Sequence, residues 1–95
     1  MVAERLIRVK GAFADGAIVQ ITVWRLPEPL PPCRHSFKYS LFFGYPGQRL
    51  VGFDNERGKG DHWHGPDGET AYTFVSVEAL IADFNAQVRA VGGPR

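Results

Sequence analysis

Residues 5–26 read R-L-I-R-V-K-G-A-F-A-D-G-A-I-V-Q-I-T-V-W-R-L, and their period of two decides the fold class. Ile7, Val9 and Phe13 fall on one face of the first half, Arg8 and Lys10 on the other. A half-buried strand needs that alternation, because successive side chains point to opposite sides of the pleat. Val19, Ile21 and Val23 repeat the pattern after Asp15-Gly16, a strong hairpin signal. The loop length follows from the faces. A two-residue loop of Asp15 and Gly16 would set Arg8 opposite Val23 and mix polar with apolar. A three-residue loop over Ala14, Asp15 and Gly16, with Gly16 left-handed, sets Phe13 opposite Ala17 and keeps both apolar rows together. Since a one-residue slip turns every side chain over, the three-residue loop with a bulge is expected.

Beyond this hairpin, residues 27–34 carry four prolines in six positions and lack the donors for a central strand. They read as a stiff, extended connector rather than as a Pro-rich ligand motif. From His35 the period of two returns, with Phe37, Tyr39, Leu41 and Phe43 on one face. Pro46-Gly47 suits a type II turn into a fourth strand, residues 49–53. Residues 71–75 read as a short fifth strand. Ser76 is an N-cap with Glu78 in the first turn, and Val77, Leu80, Ile81, Phe84 and Val88 recur at helical spacing over 77–90. The tail, 92–95, is expected to fray. The fold expected is α+β: an antiparallel β-meander of about five strands, with one C-terminal helix packed on one face.

Composition narrows the function classes. Ninety-five residues at 44% hydrophobic and 22% charged suit a single globular domain, 1–95. A net charge of +1 gives no global basic footprint, so any nucleic-acid contact must be local. The one cysteine, Cys33, makes no internal disulfide, and it sits in the connector without an obvious base. The opening M-V-A-E-R-L-I-R-V-K alternates charge with apolar residues, so no secretory leader is expected, and no apolar run approaches membrane-spanning length. A cytoplasmic protein without a membrane partner is the expectation.

The chemistry concentrates in F-D-N-E-R-G-K-G-D-H-W-H-G-P-D-G-E, residues 53–69. Gly58, Gly60, Gly65, Gly68 and Pro66 argue against a regular element through its middle, so residues 54–70 read as a polar, Gly-rich site loop. Two histidines, His62 and His64, suit general acid–base work on RNA, with Arg57 and Lys59 holding the phosphate. Asp61 or Glu56 would orient an imidazole or a cation, and Trp63, if exposed, offers a stacking face for a base. No cofactor is expected on this reading. In a metal-dependent alternative His62 and His64 share an ion, with Asp61, Asp54 or His35 completing the set. A third possibility is a solvated or partner-binding loop without catalysis. Gly58-Lys59-Gly60 lacks the spacing and the following Ser/Thr of a phosphate loop. His35 reads as structural, Lys38, Arg8 and Lys10 as solvated charge, and Trp24 as core or interface.

Three segments, F-K-Y-S-L-F-F-G (37–44), R-L-V-G-F-D-N-E-R-G-K-G-D-H-W-H (49–64) and Y-T-F-V-S-V-E-A-L-I-A-D-F (72–84), resemble the TumE-type toxins of bacterial toxin–antitoxin modules. They span the C-terminal two-thirds of the chain. The resemblance implies a small toxin, neutralised by direct binding of a helix-turn-helix antitoxin, with ribonuclease activity as its expected mode of action. By motif it carries over Asp54, Asn55, Glu56, Arg57, Lys59, Asp61, His62 and His64, of which Asp54, Asn55 and Glu56 are expected substrate contacts beside Trp63. Trp63 stands where the family-like pattern has a basic residue. Exposed aromatics on a sheet face left open by the helix would favour a homodimer or an antitoxin contact.

Overall fold

The computed structural model describes residues 2–92. Six strands form one antiparallel sheet in chain order: β1 (Glu4–Ala12), β2 (Ile18–Arg25), β3 (Phe37–Tyr45), β4 (Gln48–Glu56), β5 (Gly60–Gly65) and β6 (Gly68–Ala71). One helix, α1 (Val77–Ala90), follows. Among the described residues no helix is long and apolar enough to cross a membrane. The meander with a C-terminal helix is the architecture expected, with six strands in place of five. Residues 93–95 of the tail lie outside the described residues.

The first hairpin closes as the faces require. Ile7 pairs with Val23, Val9 with Ile21 and Gly11 with Val19, and the Phe13 N–H donates to the Ala17 carbonyl at 2.8 Å. Gly16 takes φ +92°, the left-handed turn that a side chain resists. The two apolar rows therefore share the face on which Tyr39, Leu41, Phe43, Val51 and Phe53 are buried.

The helix lies on that face, chiefly over β4. Its buried row is Leu80, Phe84 and Val88, with Phe84 edge-on to Phe53 at 6.1 Å between ring centres. Ser76 stops the chain from fraying backwards, because its Oγ accepts the Ala79 N–H at 3.0 Å. Ser76→Ala is expected to cost about 1 kcal/mol, the usual loss for an N-cap hydroxyl, read as a lower urea midpoint at unchanged slope.

Two expectations are corrected. Residues 54–70 are no loop: β4 runs on through Glu56, and β5 and β6 follow as strands. Gly58 and Pro66 sit in the two turns, and Gly60, Gly65 and Gly68 stand at the strand ends beside them. Gly58, at φ +82°, turns the chain between β4 and β5, and Pro66-Asp67 turns it between β5 and β6. The second correction concerns residues 71–75. The last strand ends at Ala71; the Tyr72 N–H still donates to the Asp61 carbonyl at 3.1 Å, and residues 73–76 leave the ladder. Tyr72 and Phe74 still alternate inward, but they pack on the sheet face, Tyr72 edge-on to Phe53 at 5.1 Å and Phe74 stacked on His35 at 3.9 Å. An extended segment crossing a sheet keeps the period of a strand without its pairing.

Candidate active site

Because β4 and β5 are regular strands, their side chains are dealt alternately to two sides. Asp54 pairs with His62 and Gly52 with His64, on the face away from the helix. Glu69 of β6 pairs with His64 and joins the same face. Asn55, Asp61 and Trp63 go to the helix side. The crowded residues of one short run thus belong to two separate places.

On the open face His62 is nearly enclosed, with 8% of its side chain exposed, and its Nε2 meets Asp54 Oδ1. Its Nδ1 lies 3.2 Å from the Gly60 carbonyl. A carbonyl and a carboxylate are both acceptors, so both contacts are hydrogen bonds only when each ring nitrogen carries a proton. A second carboxylate, Glu69, stands 3.9 Å from the same Nε2. Lys59 caps Glu69 at 2.6 Å and holds that carboxyl below its ordinary range. His64 is half-buried and forms no side-chain hydrogen bond or ion pair among the described residues. Arg57 is exposed at the β4–β5 turn.

Arg49 belongs to this face, although nothing in the alternation of its strand suggests it. The β3–β4 register slips between Phe43 and Gly44, so that Phe43 pairs with Val51 but Gly44 with Arg49. Leu50 is the extra residue of a bulge, and Arg49 is turned to the side of Gly52 and Asp54. Its side chain then lies across Gly52, where an added Cβ would meet Arg49 Cδ at 2.7 Å. Gly52 is the ladder partner of His64, and the Arg49 charge reaches Glu69 strongly enough to help depress its carboxyl. A cation therefore lies beside the unbonded imidazole. The only sequence signal was Gly52 itself, a glycine inside a strand, which marks a close approach.

The helix side holds a different arrangement. The side chain of Asn55 is enclosed: its Oδ1 accepts the Tyr39 N–H at 3.0 Å and its Nδ2 donates to the Phe37 carbonyl at 2.7 Å. Substrate contact by Asn55 is therefore corrected; it is a core bridge. Trp63 stacks on Phe53 at 5.6 Å and lies against Gly65, away from the histidines, so it is no stacking platform between them. Asp61 accepts the Tyr39 hydroxyl at 2.7 Å and lies 2.7 Å from His35 Nε2. That separates Asp61 from His62 and His64, and the three do not form one metal site.

Cys33, His35 and Asp61 do bring possible ligand atoms within 4.8 Å of one another. However, His35 Nδ1 accepts the Phe37 N–H at 3.1 Å, so the proton of the neutral ring is on Nε2 and donated to Asp61. A cation on Nε2 would leave the ring with no proton at either nitrogen, or break the Phe37 bond. The cluster is built for hydrogen bonding. Burial and the neighbouring Asp61 push the Cys33 thiol up, away from nucleophilic use. The connector is thus more than a spacer: it carries Cys33 and His35 to the sheet and is tied to the β4–β5 turn by Gly58 N–H donating to the Pro31 carbonyl at 2.8 Å.

A family model described as toxin TumE matches residues 3–91. The chain belongs to the TumE toxin family. No curated protein and no solved structure matches it significantly. Membership makes it a toxin by family and implies an antitoxin as partner. In this TumE toxin the D-N-E-R-G-K-G-D-H-W-H run is one hairpin, with His62, His64, Asp54 and Glu56 on one face and Asn55 and Asp61 on the other.

The helix-side carboxylate has its own signature. Burial acts to raise the Asp61 pKa, but hydrogen bonds from Tyr39, Cys33 and His35 outweigh it and leave the group below its ordinary value. A carboxyl depressed in the native state stabilises the fold above its unfolded pKa, and the contribution is lost as pH falls through the native one. Wild type is therefore expected to lose stability on acidification below about pH 4, the ordinary carboxylate range. Asp61→Asn should be weaker at neutral pH with a shallower acid limb, checked by urea unfolding at a series of pH values.

Proposed function

We propose that this TumE toxin is a ribonuclease of the bacterial cytoplasm, cutting single-stranded RNA on the open sheet face under the control of a helix-turn-helix antitoxin. The observation that carries the reading is the unbonded His64 imidazole beside the Arg49 guanidinium and next to the fully committed His62. In the reaction His64 takes the proton of the 2′-hydroxyl, the 2′-oxygen bonds to phosphorus, and the 5′-oxygen leaves. Arg49 and Lys59 face the negative charge that develops on the phosphoryl oxygens. The His62–Asp54 couple returns a proton to the leaving oxygen: His62 stores it, and Asp54 is the member more open to solvent, 28% against 8%. Products are a 2′,3′-cyclic phosphate and a free 5′-hydroxyl.

One observation favours a second reading. Asp54, Glu56 and His62 place possible ligand atoms within 4.8 Å of one another. Here the His62 Nδ1–H bonded to the Gly60 carbonyl leaves Nε2 for an ion, the arrangement by which metal-bound histidines are usually oriented. Cleavage with and without EDTA separates the two. Undiminished cleavage in EDTA supports the metal-free route, and loss restored by a divalent cation supports the metal route.

A further inference from the structure

An open sheet has two edges, and this one treats them differently. The β6 edge is four residues long, and the chain turns away after Ala71. Short edges are a standard protection against unwanted pairing. The β1 edge runs for nine residues and is interrupted only by the register shift between Arg5 and Ile7. Beyond that shift, Ile7 to Ala12 is a regular stretch.

Which backbone groups face outward follows from the ladder. Phe13 N–H bonds to the Ala17 carbonyl. With strict alternation, Gly11–Val19, Val9–Ile21 and Ile7–Val23 are the hydrogen-bonded pairs. The N–H and C=O groups of Arg8, Lys10 and Ala12 then point away from β2, to the open side. Two rows of side chains flank this unpaired ladder. On one face stand Arg8 and Lys10, both exposed. The helix-side face bears Val9 and Phe13, 46% and 38% exposed, while α1 lies chiefly over β4.

We propose that the β1 edge receives an extended segment of a partner protein as a seventh strand, one that alternates acidic and apolar residues. Main-chain bonds to Arg8, Lys10 and Ala12 supply the pairing, and the side-chain rows supply the selection. Acidic residues meet Arg8 and Lys10, and apolar ones extend the row of Val9 and Phe13. A second copy of this chain fits poorly. Two β1 strands paired antiparallel about Arg8, Val9 or Lys10 set a cation against a cation, which is unfavourable directly across a ladder. An RNA strand would use the two cations but neither the backbone ladder nor the apolar row. The antitoxin is the partner that family membership implies.

The test uses the full-length toxin and capped nine-residue peptides alternating Val with Glu or Val with Lys. Amide exchange and titration are followed by NMR. The Glu peptide should bind saturably, slow exchange at Arg8, Lys10 and Ala12, and outcompete the Lys peptide by about tenfold, on two cross-strand charge pairs. Arg8→Glu/Lys10→Glu, confined to exposed positions and checked for an unchanged CD spectrum, should reverse the preference. Alternate N-methylation of the peptide should abolish binding. The proposal is overturned by absence of saturable binding, by equal binding of both peptides, or by protection at β6 instead of β1. A β1-mediated dimer that the peptide does not dissolve overturns it, as does a 2′-O-methyl RNA oligonucleotide displacing the bound peptide from Arg8 and Lys10.

Discussion

His64→Ala is expected to lower RNA cleavage by about 10²–10⁴-fold, the usual contribution of a positioned general base, while the far-UV spectrum and unfolding midpoint stay close to those of wild type. The separation of the two readouts follows from the geometry. His64 is only half-buried and no side chain among the described residues depends on its ring. Its neighbour behaves differently. His62 is nearly enclosed and joins Asp54 to the Gly60 carbonyl, so His62→Ala should lose both activity and stability. A fall in cleavage for His64→Ala with an unchanged fold assigns the imidazole to the chemistry. Retained cleavage would mean that the base lies elsewhere on the face.

The largest stability effect is expected at Asn55. Its side chain bridges β3 and β4 at full burial and also reaches Cys33 Sγ at 3.7 Å. Truncation to alanine leaves the Tyr39 N–H and the Phe37 carbonyl without a partner in the core. Each orphaned buried group costs about 1–3 kcal/mol, so Asn55→Ala should lose roughly 2–6 kcal/mol. Against a total of about 5–15 kcal/mol for a domain, that is a large fraction, and it should appear as a urea midpoint shifted far down at similar slope. Asn55→Asp should not rescue it, because a carboxylate accepts from Tyr39 but has no donor for the Phe37 carbonyl.

The same residue shows what was legible in the sequence and what was not. The first hairpin could be read to its register, since apolar rows on both strands permit only one alignment. The helix was equally open, its start fixed by Ser76 and its buried face by the spacing of Leu80, Phe84 and Val88. Glycine and proline read as breakers throughout residues 54–70, but in the meander of β4, β5 and β6 they stand at the turns and the strand ends. Once it is read as strands, alternation from Val51 and Phe53 carries Asn55 into the core, and alternation from His62 puts Asp61 and Trp63 on the far side. Arg49 was beyond that logic. Its face depends on a bulge at Leu50 that the pattern of residues 48–53 does not announce. Likewise the His35–Asp61 bond joins residues far apart in the chain, through a connector whose prolines describe stiffness but not direction.

The most direct test of the open-face chemistry is the fate of a labelled single-stranded RNA, and of the same strand with 2′-deoxy sugars, incubated with purified toxin in EDTA. Cleavage of the RNA to 2′,3′-cyclic phosphate ends is expected, with an intact deoxy strand and loss of the products with His64→Ala. Cleavage of both strands would contradict a reaction begun at the 2′-hydroxyl. Intact RNA of several sequences, with folded wild type and with divalent cations restored, would contradict catalysis itself and leave the face as a surface for binding a partner.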